Sequence, residues 1–338
     1  MIKKWSFASP LVVALLLTHF TATPARSGEL EFQYDLGAGY RIDDFDWNFA
    51  GNGVNVLSEL TWRDLEIFQL VLGGRLLFKP GRDSGSQPQN PPESPARWRI
   101  YLRGNLGYGW IGDGTVRDSD FAGNDRTLEF SRSDNQAGDG NVLDASIGGG
   151  LQFRFRKDAW RIAPLIGLDY HEQELTISRG IQVVSRPDLA PPGNAPQPLG
   201  PLPPNLASTF QTEWQGFWIG VDLEILPPAS RLEFFATAEF HWVMDYQAKA
   251  DWNLRQDLAH PRSFEQHADE GWGVVLAGGT RLKLTPRLGL FLRAEFRDWQ
   301  IEEGTQRIFF ADGTGAVARL NNANWESASL LTGFEGRF

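Results

Sequence analysis

Residues 232–252 read LEFFATAEFHWVMDYQAKADW, and this stretch decides the fold. Its even positions (Leu232, Phe234, Ala236, Ala238, Phe240, Trp242, Met244, Tyr246, Ala248, Ala250 and Trp252) are all apolar. Its odd positions, among them Glu233, Glu239, His241, Asp245, Lys249 and Asp251, are mostly polar or charged. A strand turns successive side chains to opposite faces, so a period of two makes one greasy face and one wet face. Ordinary globular strands run about five or six residues. At roughly 3.3 Å per residue this one reaches about 70 Å, whereas a tilted strand crosses a bilayer in about 9–11 residues. That length speaks against a soluble sandwich and for a strand that spans a membrane and continues beyond it.

The same alternation recurs along the chain. Leu30, Phe32, Tyr34, Leu36, Ala38, Tyr40 and Ile42 alternate with Glu29, Glu31, Gln33, Asp35 and Arg41. Trp98, Ile100, Leu102, Leu106, Tyr108 and Trp110 oppose Arg99, Arg103 and Asn105. Leu288, Leu290, Leu292, Ala294 and Phe296 oppose Arg293, Glu295 and Arg297. A second strand over about 54–78 slips phase near Arg63-Asp64-Leu65, which reads as a bulge. Ten such strands can be counted. Backbone polar groups in lipid must all be paired, so the sheet has to close. A row such as Arg293, Glu295, Arg297 is costly against lipid and comfortable in a wet lumen. The sequence therefore predicts an all-β fold, a ten-stranded antiparallel transmembrane β-barrel, with His171 and His241 facing its lumen.

Composition agrees. The 338 residues include 36 Gly, 13 Trp and 23 Phe, and no Cys. Turn glycines and interfacial rings suit such a barrel. No run of 18 apolar residues is present, so no membrane helix is indicated. Lys3 and Lys4, the apolar Leu11–Leu17 and the small-residue exit Thr23-Pro24-Ala25 form the order of an export signal, expected to end near residue 25 with the barrel over 26–338. Its removal leaves 30 basic against 42 acidic residues, a net charge of −12, which argues against nucleic acid as a partner and in favour of cationic ligands, with Asp43, Asp44 and Asp46 in the first external loop favouring basic substrates.

Connections alternate in length. Short ones are Arg156–Ala159, Pro227–Ser230 and Thr285–Arg287; the stretches 43–53, 114–140, 180–208, 253–270 and 304–323 read as long external loops. Lys79–Ala96 is a long linker rich in Pro, Gly and Ser on the opposite side, and 180–208 is also Pro-rich. Leu330, Phe334 and Phe338 fall in phase on the outer face and resemble the C-terminal signature of outer-membrane barrels. The expected location is the cell outer membrane of a Gram-negative cell.

One constellation carries chemistry. In Val116-Arg117-Asp118-Ser119-Asp120-Phe121, the two carboxylates project to one side of an extended segment, close enough to disturb each other's ionisation. Such a pair can polarise a water. It can equally be a solvated turn or a cation site.

Ten long strands, five external loops and Asp-x-Asp with an aromatic in the second loop resemble the omptin family of outer-membrane endopeptidases. Val56–Trp62 (VLSELTW), Phe210–Gly220 (FQTEWQGFWIG) and Leu284–Arg287 (LTPR) resemble its second strand, its sixth strand and its last periplasmic turn. The resemblance covers most of residues 29–338. It implies that an Asp pair in the second loop, here Asp118 and Asp120, faces an Asp-x-His pair in the fourth, with a water between them attacking a peptide carbonyl. Asp251 matches the second aspartate, but Asn253 stands where histidine is needed and cannot take up a proton. His260, or His267, in the same loop would have to supply the base.

Three readings follow. The chain is a surface endopeptidase using Asp118, Asp120 and Asp251 with His260; or a non-catalytic relative whose loops bind a surface partner; or a pore, disfavoured by bulky charged rows in a narrow lumen. The expected partners are outer-membrane lipid, lipopolysaccharide and a peptide or surface-protein substrate. No cofactor or metal is called for.

Overall fold

The computed structural model describes residues 29–79, 98–156, 158–191 and 194–338. The expected export signal and most of the Lys79–Ala96 linker lie outside them. The chain forms β1 (Glu29–Gly51), β2 (Val54–Lys79), β3 (Trp98–Gly123), β4 (Thr127–Gln136), β5 (Gly140–Phe155), β6 (Trp160–Ser185), β7 (Gly200–Pro201), β8 (Ala207–Ile225), β9 (Leu232–Asp251), β10 (Phe264–Ala268), β11 (Gly271–Lys283), β12 (Leu288–Ile301), β13 (Gly304–Phe309) and β14 (Gly315–Arg337).

The ring closes where β1 meets β14, with Gln33 opposite Arg337 and Asp46 opposite Asn324. In its lower half the order is β1-β2-β3-β5-β6-β8-β9-β11-β12-β14, every pair antiparallel. In its upper half β4 replaces β5, and β10 and β13 replace β11 and β12. Both halves have ten strands, so the expected barrel is present and no edge is left open.

The lower half is built as the alternation requires. Leu72, Leu102, Ile166, Leu276, Leu292 and Leu330 are 48–68% exposed, a continuous apolar belt that only lipid can cover. Aromatic rings cluster on it: Phe217 stacks on Trp242 at 4.6 Å, and Phe68 on Trp110 at 6.3 Å. Phe334 and Phe338 point outward in phase, as expected. Inside, ion pairs cross the lumen. Arg75 reaches Glu335 at 2.6 Å and Glu224 at 3.2 Å, while Arg41 lies between Asp43 at 2.5 Å and Asp144 at 2.6 Å. Arg297 joins Asp144 at 2.7 Å to Glu295 at 2.6 Å. His171 and His241 do face this lumen: His171 Nδ1 is 2.7 Å from Asp144, and His241 Nδ1 is 3.0 Å from Asp169. Gly148 and Gly167 lie beneath the buried Trp218, whose ring is 2.3–2.4 Å from where a Cβ on either would sit.

The upper half departs from the expectation in two ways. First, most of the stretches read as external loops are strand. β1 runs to Gly51, and the first hairpin turns on Asn52-Gly53, both at positive φ (50° and 81°), the two-residue turn that Asn-Gly favours. The acidic residues Asp43, Asp44 and Asp46 are therefore in strand, and Asp43 is fully buried, accepting hydrogen bonds from Arg41, Gln173 and Trp325. Residues 114–136 are likewise the end of β3 and all of β4, and 180–185 continue β6.

Second, the apolar face turns inward. The even row of β9 was expected to face lipid throughout; it does so at Leu232, Phe234 and Phe240, but Tyr246, Ala248 and Ala250 are buried. Met244 is skipped in the β8–β9 register, and one extra residue in a strand exchanges its two faces. The slip expected near Arg63-Asp64-Leu65 is such a bulge, with Asp64 at φ 52°, and its partner β3 skips Gly112 and Gly114. β1 and β8 keep their phase and instead exchange polar inward residues for Phe45, Trp47, Phe210 and Trp214. The outer half is thus a barrel with a packed aromatic core. Trp47 stacks on Phe210 at 5.6 Å, Trp62 lies 5.3 Å from Phe210, and Trp214 meets Tyr246 edge-on at 4.5 Å.

Candidate functional site

The bulge in β3 places the aspartate pair. Up to Ile111 odd positions face the lumen; beyond Gly112 and Gly114 the inward positions are Val116, Asp118 and Asp120, while Arg117 is outside, bonded to Asp134 at 2.8 Å. Both carboxylates lie above the belt, eight and ten residues past the outward Trp110. Asp118 is flanked across the sheet by Leu60 and Ser133, and Asp120 by Ser58 and Ser131.

They line a cavity of about 820 Å³ in the upper mouth of the barrel, beside the aromatic core. Trp47, Phe49, Leu57 and Phe264 form its apolar wall, and Ser133, Asn135, Gln182 and Gln306 its polar wall. A volume near the top of the usual ligand range, with a few convergent polar groups, is what a binding site needs.

The segment after β9 crosses this mouth. Trp252 donates its backbone N–H to the Ser263 hydroxyl at 2.9 Å, and its side chain faces the Asp118 carboxyl. Arg255 follows one short turn later. Its guanidinium bonds Asp257 at 2.7 and 2.8 Å and Asn194 at 3.1 Å, close enough to act on both buried carboxylates. Burial, reinforced by the charge of Asp120, pushes the Asp118 carboxyl up to about 8, against the opposing pull of Arg255 and Trp252. Burial also raises Asp120, opposed by the Ser58 and Ser131 hydroxyls and by Arg255. Burial thus disfavours ionisation at both sites, most at Asp118.

The remaining expected site residues lie elsewhere. Asp251 follows the inward Ala250 and so projects to the outer side of the wall. His260 Nδ1 meets it there at 2.6 Å, and both are partly exposed. Neither lines the mouth cavity. His267 is on the outside as well, 3.4 Å from Asp245. Asn253 is a fastener: its carbonyl accepts from Ala207 N at 3.0 Å and Ser208 Oγ at 3.2 Å, and its amide donates to Asn205 O at 2.7 Å. The structure thus brings Asp118 and Asp120 together and joins Asp251 to His260, but the two pairs are separated by the wall. Trp252 and Arg255, which face the aspartates instead, carried no signal in the sequence. Arg255 is one of several loop cations, and Trp252 continues an apolar row that pointed to lipid.

A family profile described as Protochlamydia outer membrane protein, Pom, matches residues 35–81 and 94–338. The chain belongs to the Pom family. Its barrel superposes on the outer membrane protease OmpT of Escherichia coli with a TM-score of 0.62 at 13% identity, covering 91% of this chain and 97% of the protease. OprG of Pseudomonas aeruginosa (TM-score 0.33, 9% identity, 91% and 95% covered) and the translocator domain of NalP from Neisseria meningitidis (0.32, 11%, 97% and 93%) are similar only loosely. No curated protein matches. The OmpT likeness establishes a shared fold, and with the family match it places this Pom barrel in the cell outer membrane. Membership in the omptins themselves is not shown by it: the family matched is Pom.

In this Pom barrel the mouth offers two buried carboxyl groups, a guanidinium already engaged by Asp257, and an aromatic wall. That set can donate to and accept from a bound molecule. It has no imidazole to take a proton from water.

Proposed function

We propose that this outer-membrane barrel binds a ligand in its extracellular mouth and does not cleave it. The observation supporting this is the company Asp118 and Asp120 keep: Trp252 and Arg255 face them, while the Asp251–His260 pair sits on the outer side of the wall. An arginine stays protonated throughout the physiological range and cannot serve as a general base. Lipid of the outer leaflet, with lipopolysaccharide as the proposed component, surrounds the belt, and a surface molecule reaches the mouth.

The endopeptidase reading has one observation in its favour, the adjacency of Asp118 and Asp120, whose carboxyls burial raises together. A carboxyl pair of that kind can polarise a water without imidazole. The deciding experiment compares refolded wild type with Asp118→Asn/Asp120→Asn on dibasic and mixed-sequence peptides. Equal background cleavage by both is expected. Cleavage by wild type that the double variant loses would overturn the binding reading and establish the peptidase.

A further inference from the structure

We infer that the mouth cavity takes a short neutral saccharide, an oligosaccharide whose ring faces lie on the Trp252–Phe264 wall while its hydroxyls bond the Ser133, Gln182 and Gln306 side. This deepens the binding reading above and rests on it. The argument is one of elimination by chemistry. About 820 Å³ is too large for an ion and suits a molecule of several rings.

The charges around the cavity are already engaged. Asp257 holds Arg255 at 2.7 Å, Asp120 is held by Ser58 and Ser131, and Asp312 accepts from the Thr314 backbone N–H at 2.9 Å and hydroxyl at 2.6 Å. Burial holds the Asp118 carboxyl up, at about 8. An anionic ligand would face Asp120, Asp257 and Asp312, and a cationic one would meet the Arg255 guanidinium beside the Asp118–Asp120 pair. A purely apolar ligand would leave Asn135 Oδ1 and Asp118 Oδ1, both buried without a partner, unsatisfied. A sugar satisfies both walls at once. Its C–H faces pack on rings, and its hydroxyls donate to and accept from amide, hydroxyl and carboxyl groups. Trp252 is half-buried, its backbone tied to Ser263 and its ring packed 4.7 Å from that of Phe264, so it is a pre-set platform and loses little freedom on binding.

The test uses the full barrel folded in a detergent without a sugar headgroup. It is presented to an array of neutral tri- to pentasaccharides, with spermidine and a lysine-rich peptide as cationic probes, and binding is read by tryptophan fluorescence and ligand-observed NMR. Saturable binding of at least one neutral saccharide is expected, weakened about tenfold by Trp252→Ala and several-fold by Gln182→Ala. Heat-modifiable gel migration and circular dichroism confirm that each variant is folded. Absence of saccharide binding, or binding indifferent to both variants, overturns the inference. Preferential uptake of spermidine or intact peptide overturns the ligand class while leaving the binding reading standing; hydrolysis of the peptide removes the binding reading itself.

Discussion

His260 Nδ1 lies 2.6 Å from Oδ1 of Asp251, yet the two occupy the outer side of a wall whose inner side carries Asp118 and Asp120. The side chain that the resemblance to omptins sought for the fourth loop is present and joined to an aspartate, but on the wrong face. Asp251 faces outward because the register slip at Met244 exchanges the faces of the last turns of β9.

The first prediction follows from that placement. His260→Ala and Asp251→Ala will each leave binding in the mouth unchanged and lower stability by less than about 1 kcal/mol, the usual worth of a part-exposed ion pair. Urea titration and the fluorescence assay above check both halves. A tenfold loss of ligand affinity in either variant would show that the pair reaches the cavity.

Asp118 sets a pH dependence of stability. Its folded-state carboxyl is raised above its unfolded value, so the folded chain keeps a proton that the unfolded chain releases. The resulting cost is absent below about pH 4 and grows as pH rises from there toward about 8. Asp118→Asn removes it. The variant should gain stability relative to wild type on going from pH 4 to pH 8, measured by urea unfolding at the two values.

Asn253 ties the crossing segment to residues 205–208 through three hydrogen bonds. Asn253→Ala should cost about 1–3 kcal/mol locally, since it leaves the partners unsatisfied. Hydrogen exchange is expected to quicken at 252–258 and at 205–208, and to stay unchanged in the lower barrel.

Phe210 touches Phe45, Trp47, Trp62 and Phe264 at 5.3–6.2 Å between ring centres and is fully buried. Phe210→Ala should destabilise by about 3–5 kcal/mol, as deletion of a core aromatic does. The same packing blocks the lumen, so wild type in a planar bilayer is expected to show no conductance steps. Regular steps would revive the pore.

Much of the lower barrel was legible because lipid imposes a strict rule: outward residues such as Leu288, Leu290 and Leu292 must be apolar, and inward ones such as Arg293 and Glu295 need water or a partner. The slip at Arg63-Asp64-Leu65 was visible because a charged pair interrupts the row. The slip at Met244 was not, because Tyr246, Ala248 and Ala250 are apolar and continue the even row without a break. An apolar residue fits lipid and a protein core equally well, so hydropathy alone could not tell which side it faced. For the same reason Phe45, Trp47 and Phe49 were assigned to a loop, though their period of two was intact. At the site, Asp118 and Asp120 announced themselves by spacing. Arg255 and Trp252 meet them only through the fold of a twelve-residue crossing segment, which no local pattern encodes.

The skipped residues in β3 have a consequence for how this barrel can change. They act as a parity joint between two storeys that obey opposite solvent rules. Insertions or losses beyond the joint leave the lipid-facing storey in register, so the surface storey is free to diversify. Removing one residue at Gly112 would instead restore plain alternation in β3, keeping Val116, Asp118 and Asp120 inside and Arg117 outside but leaving the Asp64 bulge of β2 without its counterpart.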